Sequence, residues 1–157
     1  MKNNTRKPKP VKPKPQHHPE DYGLDVMSGD DDLFRWFLLA YLLGKPIQAT
    51  VAVQTWRLFI ERGIDTPWAI VGTKERTLAH VLVEGKYTRY NHVMAKALLT
   101  MSQQLIDMYD GSLLLTISLS ENEAEFSKRL QELYGIGPKT AEIIMRETEE
   151  YFASRVE

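Results

Sequence analysis

The stretch Leu133-Tyr134-Gly135-Ile136-Gly137-Pro138-Lys139-Thr140-Ala141 gathers the residue types needed to grip a phosphate. An apolar helix is expected to end at Leu133, two glycines flank one isoleucine, and Pro138 suits the first position of a second helix. Glycine permits positive φ and lets a second backbone come close. The free N–H groups of such a turn and of the helix start would point outward together. With the positive end of the helix dipole behind them they would form an anion site, to which Gly135, Gly137, Lys139 and Thr140 belong. Ile136 would fill the wedge between the two helices. A tight turn in an ordinary bundle also uses glycine. The full run, with Lys139-Thr140-Ala141 leading into another apolar helix, reads instead as a helix-hairpin-helix.

Other chemistries find little support. The chain has no cysteine, which removes disulfides, thiolate metal sites, iron–sulfur clusters and cysteine nucleophiles. Its four histidines, His17, His18, His80 and His92, lack H-x-x-x-H spacing, so no metal is expected. The acidic run Asp30-Asp31-Asp32 lacks the calcium-loop pattern and suits the electropositive start of a helix. No segment approaches the roughly 18 apolar residues of a membrane helix, and the basic N-terminus leads into no apolar stretch, so no secretory signal is expected. The expected location is the cytoplasm, without membrane association.

Charge is unevenly divided. Residues 1–19 hold six Lys or Arg, five of the eight prolines and no acid. The rest of the chain keeps 14 basic and 21 acidic side chains, a net of −7. A Lys-Pro segment cannot bury apolar surface, so residues 1–31 are expected to be a disordered basic tail followed by an acidic linker. Such a tail is either a solvated extension or a counterion-releasing arm for nucleic acid.

The elements that must position the glycine turn all read as helix, so the fold class is all-α, a helical bundle over residues 32–157. Leu33–Leu43 is apolar nearly all round and belongs at the centre. Helices are expected over about 50–62, with Ala52, Trp56, Phe59 and Ile60 inward, and from Thr66-Pro67 through Ile70. Two more should follow, one from Thr73 and a long one over about 89–109 that buries Val93, Met94, Ala97, Leu98, Met101, Leu105 and Met108. Ser120-Glu121-Asn122-Glu123 has the spacing of a capping box before Phe126, Leu130 and Leu133. Leu113–Leu119 alone has strand character, and one strand makes no sheet. Trp36, Trp56 and Trp68 are expected to pack in the core.

From about Asp32 onward the chain resembles the helix-hairpin-helix DNA glycosylase superfamily, and endonuclease III most of all. The likeness rests on Gly135-Ile136-Gly137-x-Lys139-Thr140-Ala141, on Phe34–Thr50 ending in Gln48-Ala49-Thr50, and on Tyr87–Gly111, similar to the long helix before the hairpin. It implies a six-helix-barrel domain, DNA (damaged or abasic duplex) as partner, a monomer, no cofactor, and base-excision glycosylase or abasic-site lyase activity. In that family a lysine at the place of Lys139 is the nucleophile; in related non-catalytic hairpins it only neutralises phosphate. Gln48 matches the residue inserted where a nucleotide has been extruded, and Lys45 in the same loop would reach a phosphate. The family's carboxylate, usually Asp, falls 18 residues beyond the lysine, on Glu157. The chain departs from the pattern in having Glu there, at the last position, and in lacking the cluster cysteines and second domain. A truncated or inactive hairpin module that only binds DNA or a repair partner is the alternative.

Overall fold

A computed structural model describes residues 17–153 and residue 155, and among them every regular element is a helix. Helix α1 (Asp30–Leu43) is the axis. Nine consecutive-turn residues from Leu33 to Leu42, all but Arg35, are buried. Such a helix needs neighbours on every side, and α2 (Ala49–Glu61), α6 (Leu113–Leu119) and α8 (Pro138–Met145) supply them. Helices α3 (Pro67–Val71), α4 (Glu75–Glu84) and α5 (Asn91–Tyr109) pack on one another beside α2. Helices α7 (Glu123–Gln131) and α9 (Glu149–Ala153) complete the described body. None of these helices is long and apolar enough to cross a membrane.

Several local expectations hold for the stated reasons. Thr66 Oγ1 accepts the Ala69 N–H at 3.0 Å and Pro67 takes the first helical position. Met94, Ala97, Leu98, Met101 and Leu105 are buried along α5. The one basic residue of α1, Arg35, is held by Asp32 at 2.7 Å and Asp65 at 2.8 Å.

Other expectations are corrected. Leu113–Leu119 is helix α6, because its first amides find acceptors. Ser112 Oγ takes the Leu115 N–H, while Asp30 Oδ1 takes the N–H groups of Leu113 and Leu114, each at 3.0 Å. Asp30 Oδ2 also accepts the Ser112 hydroxyl at 2.7 Å. The aspartate run therefore does more than face its own helix dipole. Ser120 does not open α7; its hydroxyl donates back to Thr116 O, and Asn122 is the cap, accepting from Glu125 N–H at 2.9 Å. Val93 and Met108 are exposed, since both lie off the α5 face defined by Met94, Leu98, Met101 and Leu105.

Trp36 and Trp56 are core, but Trp68 is 56% exposed and lies against Gly111. A Cβ on Gly111 would come within 2.3 Å of Trp68 Cη2, and φ there is +71°. Residues 20–31 are not a free linker. Pro19–Tyr22 forms a 3-10 helix, Leu24 and Val26 are buried, and the Tyr22 ring meets Trp56 edge-on at 5.5 Å. His18 bonds Glu147 at 2.9 Å and Arg146 donates to His17 O at 2.7 Å, fastening the segment to the far end of the chain. Residues 1–16, the greater part of the expected basic tail, lie outside the described residues.

Asp30→Ala should lower unfolding free energy by about 2 kcal/mol, because three donors at the start of α6 lose a charged acceptor. Its exposed neighbour Asp31, changed to Ala, should shift stability by no more than about 0.5 kcal/mol. Urea midpoints of the two variants test this; equal midpoints would remove Asp30 from its capping role.

Candidate nucleic-acid interface

The glycine turn joins α7 to α8, and the core holds it at three points. The Tyr41 hydroxyl, at the end of α1, donates to Tyr134 O at 2.7 Å. The Lys45 ammonium donates to Gly135 O at 2.7 Å and lies 5.0 Å from the centre of the Tyr41 ring. Gln104 Oε1, on α5, accepts the Tyr134 N–H at 2.6 Å. Helix α1, the loop that follows it and α5 thus fix a turn that has no regular structure of its own.

The two glycines do different work. Gly135 has φ +82°, and a Cβ there would lie 2.3 Å from the Tyr41 hydroxyl oxygen. The close approach that demands glycine is to the chain's own tyrosine. Gly137 has φ −101° and ψ −173°, which any residue adopts, and a Cβ there would meet nothing within 4 Å. The expectation of positive φ thus holds for Gly135 and not for Gly137. Gly137 instead caps α8, with its carbonyl accepting the Ala141 N–H at 3.0 Å. Ile136 is 5% exposed and belongs to the hydrophobic core rather than reaching outward to a ligand. Pro138 opens α8 as expected.

The remaining site residues divide between anchors and free groups. The Thr140 side chain is buried toward the end of α1; a Cβ on Gly44 would fall 2.0 Å from its Oγ1. Thr140 can therefore offer only its amide to a ligand. Lys45, expected to reach a phosphate, is occupied by the Gly135 carbonyl, and burial pushes its ammonium pKa down. Its measurable role is to tie the 44–48 loop to the turn. Gln48 is exposed, and as the residue preceding α2 it caps with its carbonyl while its side chain makes no capping bond. Lys139 is exposed at the second position of α8 and has no ion pair or hydrogen bond through its side chain among the described residues. No acid occupies the first turn of α8, so the helix dipole there is uncompensated by its own sequence. Glu142 likewise has no cationic partner among the described residues.

Glu157 lies outside the described residues. Nearby Arg155 is anchored at the end of α6, donating to Ile117 O at 2.8 Å and to Ser120 O. Sequence reasoning missed Tyr41, Gln104 and Tyr134. The first two act across large sequence separations; only Tyr134, an aromatic beside a glycine turn, carried a local signal. Among the described residues no group of three His, Asp or Glu is arranged to hold a metal ion.

Two expectations follow from this geometry. Gly135→Ala should destabilise the fold by about 2 kcal/mol or more through left-handed strain and the Tyr41 contact. Gly137→Ala should leave the melting temperature nearly unchanged, and equal losses in the two variants would contradict the assignment. The second concerns pH. Burial raises the Tyr41 phenol above its ordinary value of 10.0 and pushes Tyr87 up to about 12. The folded state then keeps protons that the unfolded chain sheds, so this contribution is intact below pH 10 and lost as pH rises from 10 toward 12. The depressed Lys45 acts in the opposite sense, so the comparison with Tyr41→Phe isolates the phenol. Urea midpoints of Tyr41→Phe should fall less steeply than wild type above pH 10; parallel curves would sink the claim.

No family model, curated protein or solved structure matches the chain.

Proposed function

We propose that the chain is a DNA-binding, endonuclease III-like protein that acts as a base-excision glycosylase or abasic-site lyase, with Lys139 as its nucleophile. The observation that carries this reading is the state of Lys139, an exposed amine without a partner among the described residues, at the start of a helix whose first turn is free of acid. An amine committed to an ion pair could not attack; no described residue commits this one. The first N–H groups of α8 have no acceptor within the helix and suit a phosphate beside the amine.

The chemistry asks for a neutral amine near C1′ of the damaged nucleotide. A C1′–N bond forms as the base departs with its electron pair, or as water departs from an abasic sugar. The nitrogen lone pair then opens the sugar ring, breaking C1′–O4′ to leave a C4′ hydroxyl and a protonated imine that makes the C2′ hydrogen acidic. Its removal by a base expels the 3′ phosphate through C3′–O cleavage, and hydrolysis of the imine frees the lysine. Gln48, exposed at the mouth of the 44–48 loop, would occupy the gap left in the duplex. Glu157 is the carboxylate that the family likeness offers for charge stabilisation.

One observation favours a second reading. Among the described residues no carboxylate is in ion-pair or hydrogen-bond contact with Lys139. A module that binds DNA or a repair partner without cutting would need none.

Borohydride trapping on DNA containing an abasic site separates the two. Wild type should form a reduced covalent adduct, and Lys139→Gln should lose adduct and strand cleavage while keeping duplex affinity within about twofold. Wild type that binds abasic DNA without trapping would establish the binding module. Trapping that survives in Lys139→Gln would assign the amine elsewhere.

A further inference from the structure

Four clefts on the described surface carry carboxylates. Glu61 and Glu84 line one, Asp32 and Glu61 the next, Glu123, Glu142 and Glu149 a third, and Glu125 and Glu132 a fourth. A fifth has no carboxylate among its described walls. It opens where the 44–48 loop, the start of α5 and the glycine turn meet, with Lys45, Tyr87, Tyr90, Val93 and Tyr134 among its walls. In a body whose net charge is −7 beyond residue 19, a hollow with no carboxylate among its described walls, at the glycine turn that leads into α8, is a place where a polyanion meets little repulsion.

The same hollow concentrates apolar surface left in water. Among the described residues, Tyr90 is 47%, Val93 64% and Tyr134 53% exposed. Tyr90 holds φ +67° and ψ +18°, a left-handed conformation unusual for a bulky aromatic, and the Arg89 guanidinium lies 5.0 Å from its ring centre. Exposed rings, nearby cations and an absence of acid are the combination that single-stranded nucleic acids use, since every base has a π-face and every linkage a negative charge. The volume, about 230 Å³, lies below the roughly 300–1,000 Å³ of sites that enclose a whole small ligand. It suits one ring system whose chain stays outside.

Resting on the DNA-binding reading, we propose that this cleft receives an unpaired base of single-stranded DNA, stacked on Tyr134 and Tyr90, with the adjoining phosphate toward the start of α8. A base stacked inside a closed duplex is covered on both faces by its neighbours and enters only once extruded, whereas an unpaired base enters directly. The cleft therefore gives the protein an affinity for single-stranded DNA that is separate from its duplex contact.

The test compares a single-stranded oligonucleotide containing 2-aminopurine with the closed duplex of the same sequence, using the full chain. Wild type should quench the fluorophore on binding the single strand. Tyr134→Ala and Tyr90→Ala should each weaken that binding about tenfold and remove the quenching, while duplex affinity stays within about twofold. Tyr134→Phe should behave as wild type, because the ring does the stacking. Folding is checked by melting temperature, which Tyr134→Ala should preserve, since its main chain and not its ring bonds to Tyr41 and Gln104. Duplex binding without single-strand binding, or single-strand binding indifferent to both tyrosines, would overturn the inference and leave the DNA-binding reading standing. Equal loss of both DNA forms in the tyrosine variants would assign the cleft to the duplex surface and also overturn it. Wild type that binds neither DNA would sink both.

Discussion

The bond from the Tyr41 hydroxyl to the Tyr134 carbonyl joins the most buried of the described helices to the glycine turn. Tyr41 is wholly buried and its neighbours on α1 are core, so its position is set by packing and cannot drift. The turn between α7 and α8 inherits that rigidity. Gly135 must be glycine because the phenol occupies the space of a side chain, and its positive φ then brings its carbonyl to Lys45. Lys45 in turn fixes the loop that carries Gln48. One buried phenol thereby sets the relative placement of turn, loop and the start of α8. A turn left to its own backbone entropy would hold none of these groups in register.

Several carboxylates of the body are paired or committed: Asp32 and Asp65 to Arg35, Glu84 to Arg62, Glu125 to Arg129, and Asp30 to the amides of α6. Exposed pairs of this kind contribute little stability individually. Their larger effect is on the field, since neutralised acid repels a polyanion less than free acid does. The first turn of α8 holds none of that acid, and no described residue pairs with Lys139. An acidic protein can therefore present a local surface compatible with phosphate without being basic overall.

Core and surface demands also compete along α5. Its inner face of Met94, Leu98, Met101 and Leu105 packs without gaps of polarity, while its first turn leaves Val93 in water beside Tyr90. Hydrophobic side chains left exposed singly are ordinary, but here three gather around one hollow together with strained backbone at Tyr90. Folding stability alone would favour covering them.

What the sequence determined by itself lies within one or two helical turns. The all-helical class follows from periodic apolar residues, the starts at Pro67 and Pro138 from proline and capping chemistry, and the central place of α1 from a run that is apolar on every side. These signals act between residues three or four apart and are legible in a linear reading. Tertiary structure decided the rest, because its causes are separated by many residues. Asp30 turns Leu113–Leu119 into a helix from 83 residues away, Tyr41 holds the turn from 93, and Lys45 reaches it from 90. Leu24 and Val26, scattered among acids, looked like linker because what they bury against is assembled only when the chain closes. The glycine turn was legible as a turn. Which glycine is obligatory, and that its reason is a buried phenol, depended on long-range packing that local propensity does not encode.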